Sequence, residues 1–218
     1  MVPEDIAHYF GAGLSPVTVL SIQAEKATTY REFVSAVSGV MEIASATLRG
    51  NSEFISARKQ REDYLSSQVI AVVKSHGLNA LPAHHRGNTD ISITDLHCRG
   101  FRVICEAKIL GGENNYGNDH VYGGLEQLCT RYDTGDRLNH YSFLLIYNYK
   151  NKTSRRLGQW LDYMFLHAND DDFEGLSRCS YLGVDATYGV HSTHIHCDTG
   201  EQVYVQHLPV SLHYNPKS

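Results

Sequence analysis

Residues 101–110 read FRVICEAKIL, an apolar, β-branched segment that carries two opposite charges. Its composition predicts a buried β-strand. Because successive side chains of a strand point to opposite faces, Glu106 and Lys108 are predicted to lie together on one face, with Val103 and Cys105 on the other. Two opposite charges on one face of such a strand form either a structural ion pair or part of a reactive site.

A second strand is predicted directly upstream, at TDISIT, residues 89–94. The short polar segment between the two strands makes them an expected antiparallel hairpin. Ile91 and Ile93 suit the core, so Asp90 is predicted on the opposite, more polar face. From there its carboxylate would meet Glu106 across the hairpin.

The remaining pattern extends this hairpin into a layered domain. Helical periodicity or strand-like runs recur along the chain. We expect helices at 29–48, from Ser52 to about 75, at 121–132 and at 154–168, a strand at 141–149, and a hairpin within 192–208. This order predicts an α/β or α+β fold with a central mixed β-sheet flanked by helices. We expect residues 1–50 to form a helical N-terminal extension and residues 51–218 to form the main domain.

Composition narrows the class of protein. The chain has 218 residues, a formal net charge of −5 and 42% hydrophobic residues, which are values of an ordinary globular protein. Five cysteines, an odd number without CxxC spacing, favour a reducing, cytoplasmic location over a disulfide framework or a structural zinc site. No apolar run reaches the roughly 20 residues of a membrane helix, and the acidic N-terminus is untypical of a secretory signal. We therefore expect no membrane association.

The predicted meeting of Asp90 and Glu106 indicates a metal site. Two carboxylates brought together repel each other unless a cation lies between them. Carboxylate oxygens suit Mg²⁺ or Mn²⁺. Lys108 would then position or deprotonate an attacking water, or stabilise charge that develops on a phosphate. The net charge gives no global attraction for nucleic acid, but local basic patches and a bound cation can supply it.

Short motifs in this context resemble those of a known superfamily. The segments GNTDI (87–91), VICEAKI (103–109) and GLEQL (124–128) together resemble the PD-(D/E)xK nucleases, which have the restriction endonuclease-like fold. Within that superfamily, the pattern is similar to nuclease domains of prokaryotic restriction and anti-phage systems. REDYL (61–65) looks like the acidic start of the helix that precedes the core, and the resemblance covers residues 53–213.

The resemblance implies a role for each matching residue. Asp90 and Glu106 match the metal-binding acids, and Glu62 would complete the metal environment. Lys108 matches the catalytic lysine, and Gln127 matches the glutamine that orients the site or contacts nucleic acid. The implied activity is that of a Mg²⁺- or Mn²⁺-dependent endonuclease in antiviral defence. Its expected substrate is double-stranded DNA, with a homodimer and a defence-system protein as candidate partners.

Two positions depart from the family pattern. Thr89 stands where a proline often precedes the first aspartate. An aromatic residue often follows the glutamine by four positions, but Arg131 occupies that place and Tyr132 comes one later. These departures leave the alignment of the glutamine helix open.

Several alternatives remain at the level of sequence. Asp63 competes with Glu62, and Asp95 competes with Asp90 although its parity matches the core residues. Gln127 is also explained as a surface amide. His120 and Tyr122, which flank the glutamine helix, are further candidates for substrate contact. The basic stretches RKQR (58–61) and SRR (154–156) are either phosphate contacts or ordinary charged helix faces.

Two further interpretations concern the histidines and an alternative class of function. Of the 13 histidines, His84, His85, His194 and His196 are interpreted as surface or hairpin residues rather than metal ligands. The alternative function is a catalytically inactive nucleic-acid-binding or scaffolding module of the same fold, partnering a larger defence or helicase complex. The sequence does not decide between DNA and RNA, or between endonuclease and exonuclease action.

Overall fold

A computed structural model describes residues 15–83, 89–97, 99–132, 138–167, 177–178, 190–196 and 199–214. The helices are α1 (Pro16–Lys26), α2 (Tyr30–Gly50), α3 (Ser52–Arg58), α4 (Glu62–Ser75), α5 (Asn118–Gln127) and α6 (Thr153–His167). The strands are β1 (Asn79–Ala83), β2 (Thr89–Thr94), β3 (Arg102–Leu110), β4 (Tyr141–Asn148), β5 (Ser177–Arg178), β6 (Val190–Ile195) and β7 (Gln202–Ser211). A short π-helical segment, Leu128–Tyr132, continues α5.

The strands form one mixed sheet in the order β1-β2-β3-β4-β7-β6-β5. The three central strands, β3, β4 and β7, run parallel to one another. The strands outside them pair antiparallel, including the predicted hairpins β2–β3 and β6–β7. The predicted fold class, a mixed sheet with flanking helices, is confirmed.

The two faces of the sheet are covered by different helices. On one face, Ile91, Ile93, Val103 and Cys105 pack in a core with buried residues of α2 and α4. On the other face, Ile104 packs with residues of β4, β7, α5 and α6. The alternation along β3 therefore sends its odd-numbered residues to the first core and Ile104 to the second, as a period of two requires.

The N-terminal helices belong to the first core. Helix α2 begins with a capping box, in which Thr29 accepts from the backbone N–H of Glu32 and the Glu32 carboxylate accepts from that of Thr29. Its buried residues include Phe33, Val37 and Met41, which share their cluster with the sheet. The helix predicted at 29–48 is thereby confirmed. Helix α1, which starts at Ser15 and Pro16 with an N-cap hydrogen bond, was not predicted.

The continuous helix expected from Ser52 to about residue 75 is wrong. Two helices, α3 and α4, are separated at Lys59, whose φ of 45° lies in the left-handed region. A residue in this conformation ends an α-helix, and the chain restarts as a helix at Glu62. Ser52 is the first helical residue and does not cap the helix through its side chain.

Strand β1 was also missed, because Pro82 within it was interpreted as following a helix stop. Proline is accepted in an edge strand, where its missing N–H faces away from the sheet, and β1 lies at the edge. In the described part of the chain, no helix combines the length and the apolar character needed to cross a lipid bilayer.

Candidate functional site

The centre of the candidate site is an ion pair on β3. Lys108 Nζ donates a hydrogen bond of 2.5 Å to Glu106 Oε1. Glu106 is 1% exposed and Lys108 is 9% exposed. Strand alternation puts both side chains on one face, as predicted. Because both charges have left bulk water, their attraction is stronger than that of a surface pair, and each depends on the other for compensation.

Glu62 joins this pair from the opposite helical layer. The carboxylate of Glu62 accepts a 3.2 Å hydrogen bond from the backbone N–H of Ile109 and lies 3.9 Å from Lys108 Nζ. This contact is possible because the helix is interrupted at Lys59 and α4 begins at Glu62 itself. A carboxylate in the first turn of a helix is favoured by the positive end of the helix dipole. The neighbouring Asp63, its rival at the sequence level, is exposed.

Asp90 belongs to β2, next to the last recorded pair of β2 with β3. The paired residues of β2 and β3 include Ile91 opposite Cys105 and Ser92 opposite Ile104. The recorded pairs end at Ile91 and Cys105, and the same antiparallel register, continued by one step, would set Asp90 opposite Glu106. The side chain of Asp90 lies outside the described residues, as do those of Arg131 and Tyr132. Among the side chains that are described, no group of three histidine, cysteine, aspartate or glutamate residues is arranged to hold a metal ion.

Helix α5 covers the ion pair through a glycine. A Cβ atom at Gly124 would lie 2.7 Å from Lys108 Cγ and 3.0 Å from its Cε. Only a residue without a side chain permits this approach without displacing the lysine. Gln127, one turn further along α5, is half-buried. It is not among the side chains that link Glu62, Lys108 and Glu106.

An open cleft of about 480 Å³ adjoins Glu62. Its walls come from the junction of α3 and α4, from the turn after β3 and from the start of α5. The lining includes Lys59, Arg61, Tyr116 and His120. His120 stacks on Tyr116, with ring centroids 4.0 Å apart and planes 14° from parallel, and its Nε2 lies 3.8 Å from the Glu62 carboxylate.

The sequence analysis named His120 as a candidate for substrate contact beside the glutamine helix, and it did not single out Tyr116. Their contact is made by the turn that folds Tyr116 back onto Gly111 through two backbone hydrogen bonds. Tyr122, the other flanking candidate, is buried instead and donates a hydrogen bond to the carbonyl of His167 on α6. It therefore packs the two helices together.

Asp95 has a structural role in the loop between β2 and β3. Its carboxylate accepts hydrogen bonds from the backbone N–H groups of His97 and Arg99 and from the Arg99 guanidinium at 2.8 Å. Burial alone would raise the pKa of Asp95, but the bonds from Arg99 and His97 outweigh it and lower that pKa. These contacts explain how Asp95, which has the same strand parity as the core residues Ile91 and Ile93, is accommodated in a buried position.

The basic stretches divide between two roles. Arg58 lies over the ring of Phe54 at 4.2 Å, which is a helix-surface contact. Lys59 and Arg61 line the cleft. Arg156 of the second stretch donates to Gln159 within α6.

Of the two alternatives for His194 and His196, surface or hairpin residues, the structure bears out the second: His194 lies in β6 of the predicted hairpin and His196 directly follows it, and both are buried. His194 is 1% and His196 5% exposed. His84 and His85 lie outside the described residues. The polar side chains of the hairpin gave no sign of this burial in the sequence.

His194 belongs to a buried polar network with Ser192, His207 and Trp160. The Trp160 indole donates to His207 Nδ1 at 3.1 Å, and Ser192 Oγ lies 2.7 Å from His207 Nε2 and 2.6 Å from His194 Nε2. Since the indole only donates, His207 carries its proton on Nε2. Burial lowers the pKa of His194 to about 3 and holds that of His207 well below its usual value.

Comparison with protein-family models, with curated proteins and with solved structures finds no match to this chain.

Proposed function

We propose that this protein is a divalent-metal-dependent nuclease that hydrolyses phosphodiester bonds of DNA, in the setting of prokaryotic defence against foreign nucleic acid. The observation that carries the proposal is the convergence of Glu62, Glu106 and Lys108 where β2 and β3 part, with Asp90 next in register. The PD-(D/E)xK motifs and the restriction endonuclease-like fold that they imply are part of the same proposal. The mixed sheet order is compatible with them.

The donor chemistry of the site fits Mg²⁺ or Mn²⁺. The described carboxylates of Glu62 and Glu106 flank the Lys108 ammonium, so this place already holds one positive charge against two negative ones. Asp90 would add a third acid by register. Oxygen ligands of this kind, completed by a backbone carbonyl and water, are what these cations prefer. Asp90, Glu106 and Glu62 are thus the residues that would hold the metal.

In the proposed reaction, water attacks the phosphorus atom and loses a proton to solvent, while the bond to the leaving oxygen breaks and that oxygen takes up a proton from solvent. A bound divalent cation would supply neutralisation of the charge on the phosphate. The Lys108 ammonium, held by Glu106, would donate a hydrogen bond to the oxygen on which negative charge develops. Gln127, one turn along α5 from the glycine over Lys108, would orient water or substrate.

Cleavage of supercoiled plasmid and of linear DNA with Mg²⁺, Mn²⁺ or EDTA tests the proposal. We expect cleavage with either metal and none with EDTA. Asp90→Asn and Glu62→Gln should lower the cleavage rate because each removes a charged ligand. Glu53→Gln is the matched control, since Glu53 is an exposed glutamate in the first turn of α3. Equal rates in all four proteins would overturn the assignment.

The burial of the Glu106–Lys108 pair favours a second candidate, the catalytically inactive nucleic-acid-binding module. A pair that is 1% and 9% exposed and covered by α5 has the character of a structural ion pair. This candidate is favoured over the nuclease if the protein binds DNA but cleaves it under none of the metal conditions. Variants of Lys108 should then change stability alone.

A further inference from the structure

We propose that the cleft beside Glu62 binds one unpaired nucleotide next to the scissile phosphate, with its base stacked on the His120–Tyr116 pair. The inference rests on the proposed nuclease function and narrows its substrate to DNA with single-stranded character, such as an overhang, a flap or a frayed end. It assigns His120 and Tyr116 to substrate selection.

The ring pair is built as a platform. Tyr116 packs against the first core and is held by the turn after β3, and Asn114 donates to its hydroxyl at 2.8 Å. His120 lies flat on Tyr116, and 30% of its side chain remains exposed. Both rings line the cleft. A flat aromatic surface of this kind stacks with any base, because every base has a π-face.

Base stacking on this platform requires an unpaired base. In a duplex, both faces of an internal base are covered by its neighbours, so a protein ring reaches a base only at an end, in a single strand or after extrusion. A volume of about 480 Å³ is within the range of pockets for small molecules. It suits one nucleotide and not a double helix.

Two cations, Lys59 and Arg61, line the cleft together with the carboxylates of Glu62, Asp63 and Glu113, and these cations are the groups that the phosphates of that nucleotide would contact. Lys59 and Arg61 are both exposed and line the same cleft. Lysine and arginine contact phosphates without reading sequence. Lys59 also adopts φ 45°, a conformation that glycine adopts with less strain, so a lysine at this position points to a use for its charge.

The position of the cleft connects it with the proposed chemistry. Glu62 lines the cleft and lies 3.9 Å from Lys108 Nζ. A nucleotide on His120 would therefore have its phosphate beside Glu62, one of the proposed metal ligands. His120 Nε2 lies 3.8 Å from the Glu62 carboxylate, so the stacked ring stands directly beside this residue.

The test measures binding separately from cleavage. Fluorescence anisotropy with Ca²⁺ would compare a 12-nucleotide single strand, a blunt hairpin duplex and the same hairpin with an overhang, and gels would verify that each stays intact. We expect the single strand and the overhang to bind more tightly than the blunt duplex. His120→Ala should weaken their binding by about 5- to 100-fold, the range for loss of one base–aromatic stack.

Two further variants separate stacking from other roles of the histidine. His120→Phe keeps a flat ring but loses the contact with Glu62, and it should retain the preference for unpaired DNA. Tyr64→Ala is the control, because Tyr64 is an exposed tyrosine of α4 that does not line the cleft. Tyr116→Ala is less suitable, since that ring also packs on the core.

The inference is overturned if the blunt duplex binds as tightly as the single strand, or if His120→Ala binds like Tyr64→Ala. It is also overturned if His120→Phe is as weak as His120→Ala. Failure of the nuclease proposal is distinct. In that case no DNA is cleaved with Mg²⁺ or Mn²⁺, whereas the binding preference and its dependence on the ring persist.

Discussion

Two buried polar groups lie in one row across the sheet but have opposite characters. Glu106 pairs in register with Leu144, and Leu144 pairs with His207. The first group is an ion pair with Lys108 and connects through Glu62 to an open cleft. The second is a network of side chains around His207, satisfied by Trp160 and Ser192.

The comparison teaches that burial of a polar group does not by itself identify a functional site. The histidine network contains lowered pKa values, and the hydrogen bonds described for it join buried side chains of the second core. The Glu106–Lys108 pair instead continues to a half-buried carboxylate that lines a cleft. Access, together with charge that a substrate or cation can use, distinguishes the two groups.

The largest effect should come from the ion pair itself. Lys108→Met keeps the apolar stem and removes the ammonium, so we expect metal-dependent cleavage to fall by about 10²- to 10³-fold. Loss of one partner of a buried pair should also destabilise the fold by about 3–5 kcal/mol. Single-turnover cleavage and urea unfolding measure the two effects.

A double variant separates them. Glu106→Gln combined with Lys108→Met should recover much of the stability because no charge stays buried alone, but it should not recover cleavage. Wild-type cleavage by Lys108→Met would show that the pair is structural, like the histidine network.

Unlike Lys108→Met, His207→Ala should lower the stability of the fold and leave the cleavage rate unchanged. It removes a buried ring and leaves the Trp160 indole and the Ser192 hydroxyl without this partner. We expect a loss of about 2–4 kcal/mol in the free energy of unfolding, with cleavage by the folded protein unchanged. His213→Ala, at an exposed histidine, is the control and should stay within about 0.5 kcal/mol of wild type. A cleavage defect in folded His207→Ala would contradict the comparison.

The same network should make stability depend on pH. The pKa of His194 is depressed to about 3 and that of His207 lies well below its usual value. Above about pH 6.5, both rings are neutral in the folded and unfolded states, so their contribution is complete. As pH falls below that value, the two histidines become protonated in the unfolded chain but stay neutral in the folded protein. Stability should then fall by up to about 1.4 kcal/mol per pH unit for each histidine.

Urea unfolding of wild type and His207→Gln at pH 7, 6 and 5 measures this dependence. The variant should have the shallower slope, because one of the two depressed histidines is gone. Equal slopes would show that the ring of His207 titrates in the folded protein.

The smallest effect is expected from two adjacent glycines of α5. Gly124→Ala would set a methyl group 2.7 Å from Lys108 Cγ, whereas a Cβ at Gly123 meets nothing within 4 Å. Both changes gain about 0.5–1 kcal/mol of helix propensity. Gly123→Ala should therefore be slightly stabilised and fully active, while Gly124→Ala should lose about 10-fold in cleavage through displacement of the lysine. Equal cleavage rates in the two variants would show that the exact position of the Lys108 side chain does not matter for cleavage.

Much of the fold could be predicted because its signals are local. The alternation of apolar and polar residues indicated both hairpins and the face shared by Glu106 and Lys108, and helical periodicity indicated α2 and α6. The break at Lys59 could not be found in this way, because neither glycine nor proline marks it. Strand β1 is short and contains proline, so it carries no strand pattern of its own.

The candidate site was predictable only as far as its residues follow from such patterns. Glu106, Lys108 and the register of Asp90 follow from two strands. The contact of Glu62 with Lys108 depends on where α4 begins. The stack of His120 on Tyr116 depends on the turn that joins Gly111 and Tyr116 through backbone hydrogen bonds. The burial of His194 and His207 could not be predicted because their network includes Trp160, which is distant in sequence.

The hydrogen bond from Ile109 to Glu62 also has a consequence for solubility. Beyond the paired part of β2, the backbone of β3 presents a donor that a strand of another molecule could use, and exposed strand edges of this kind promote aggregation. Glu62 occupies that donor and adds a negative charge beside it. The carboxylate proposed to bind the metal thereby also occupies a backbone donor that a foreign strand would otherwise use.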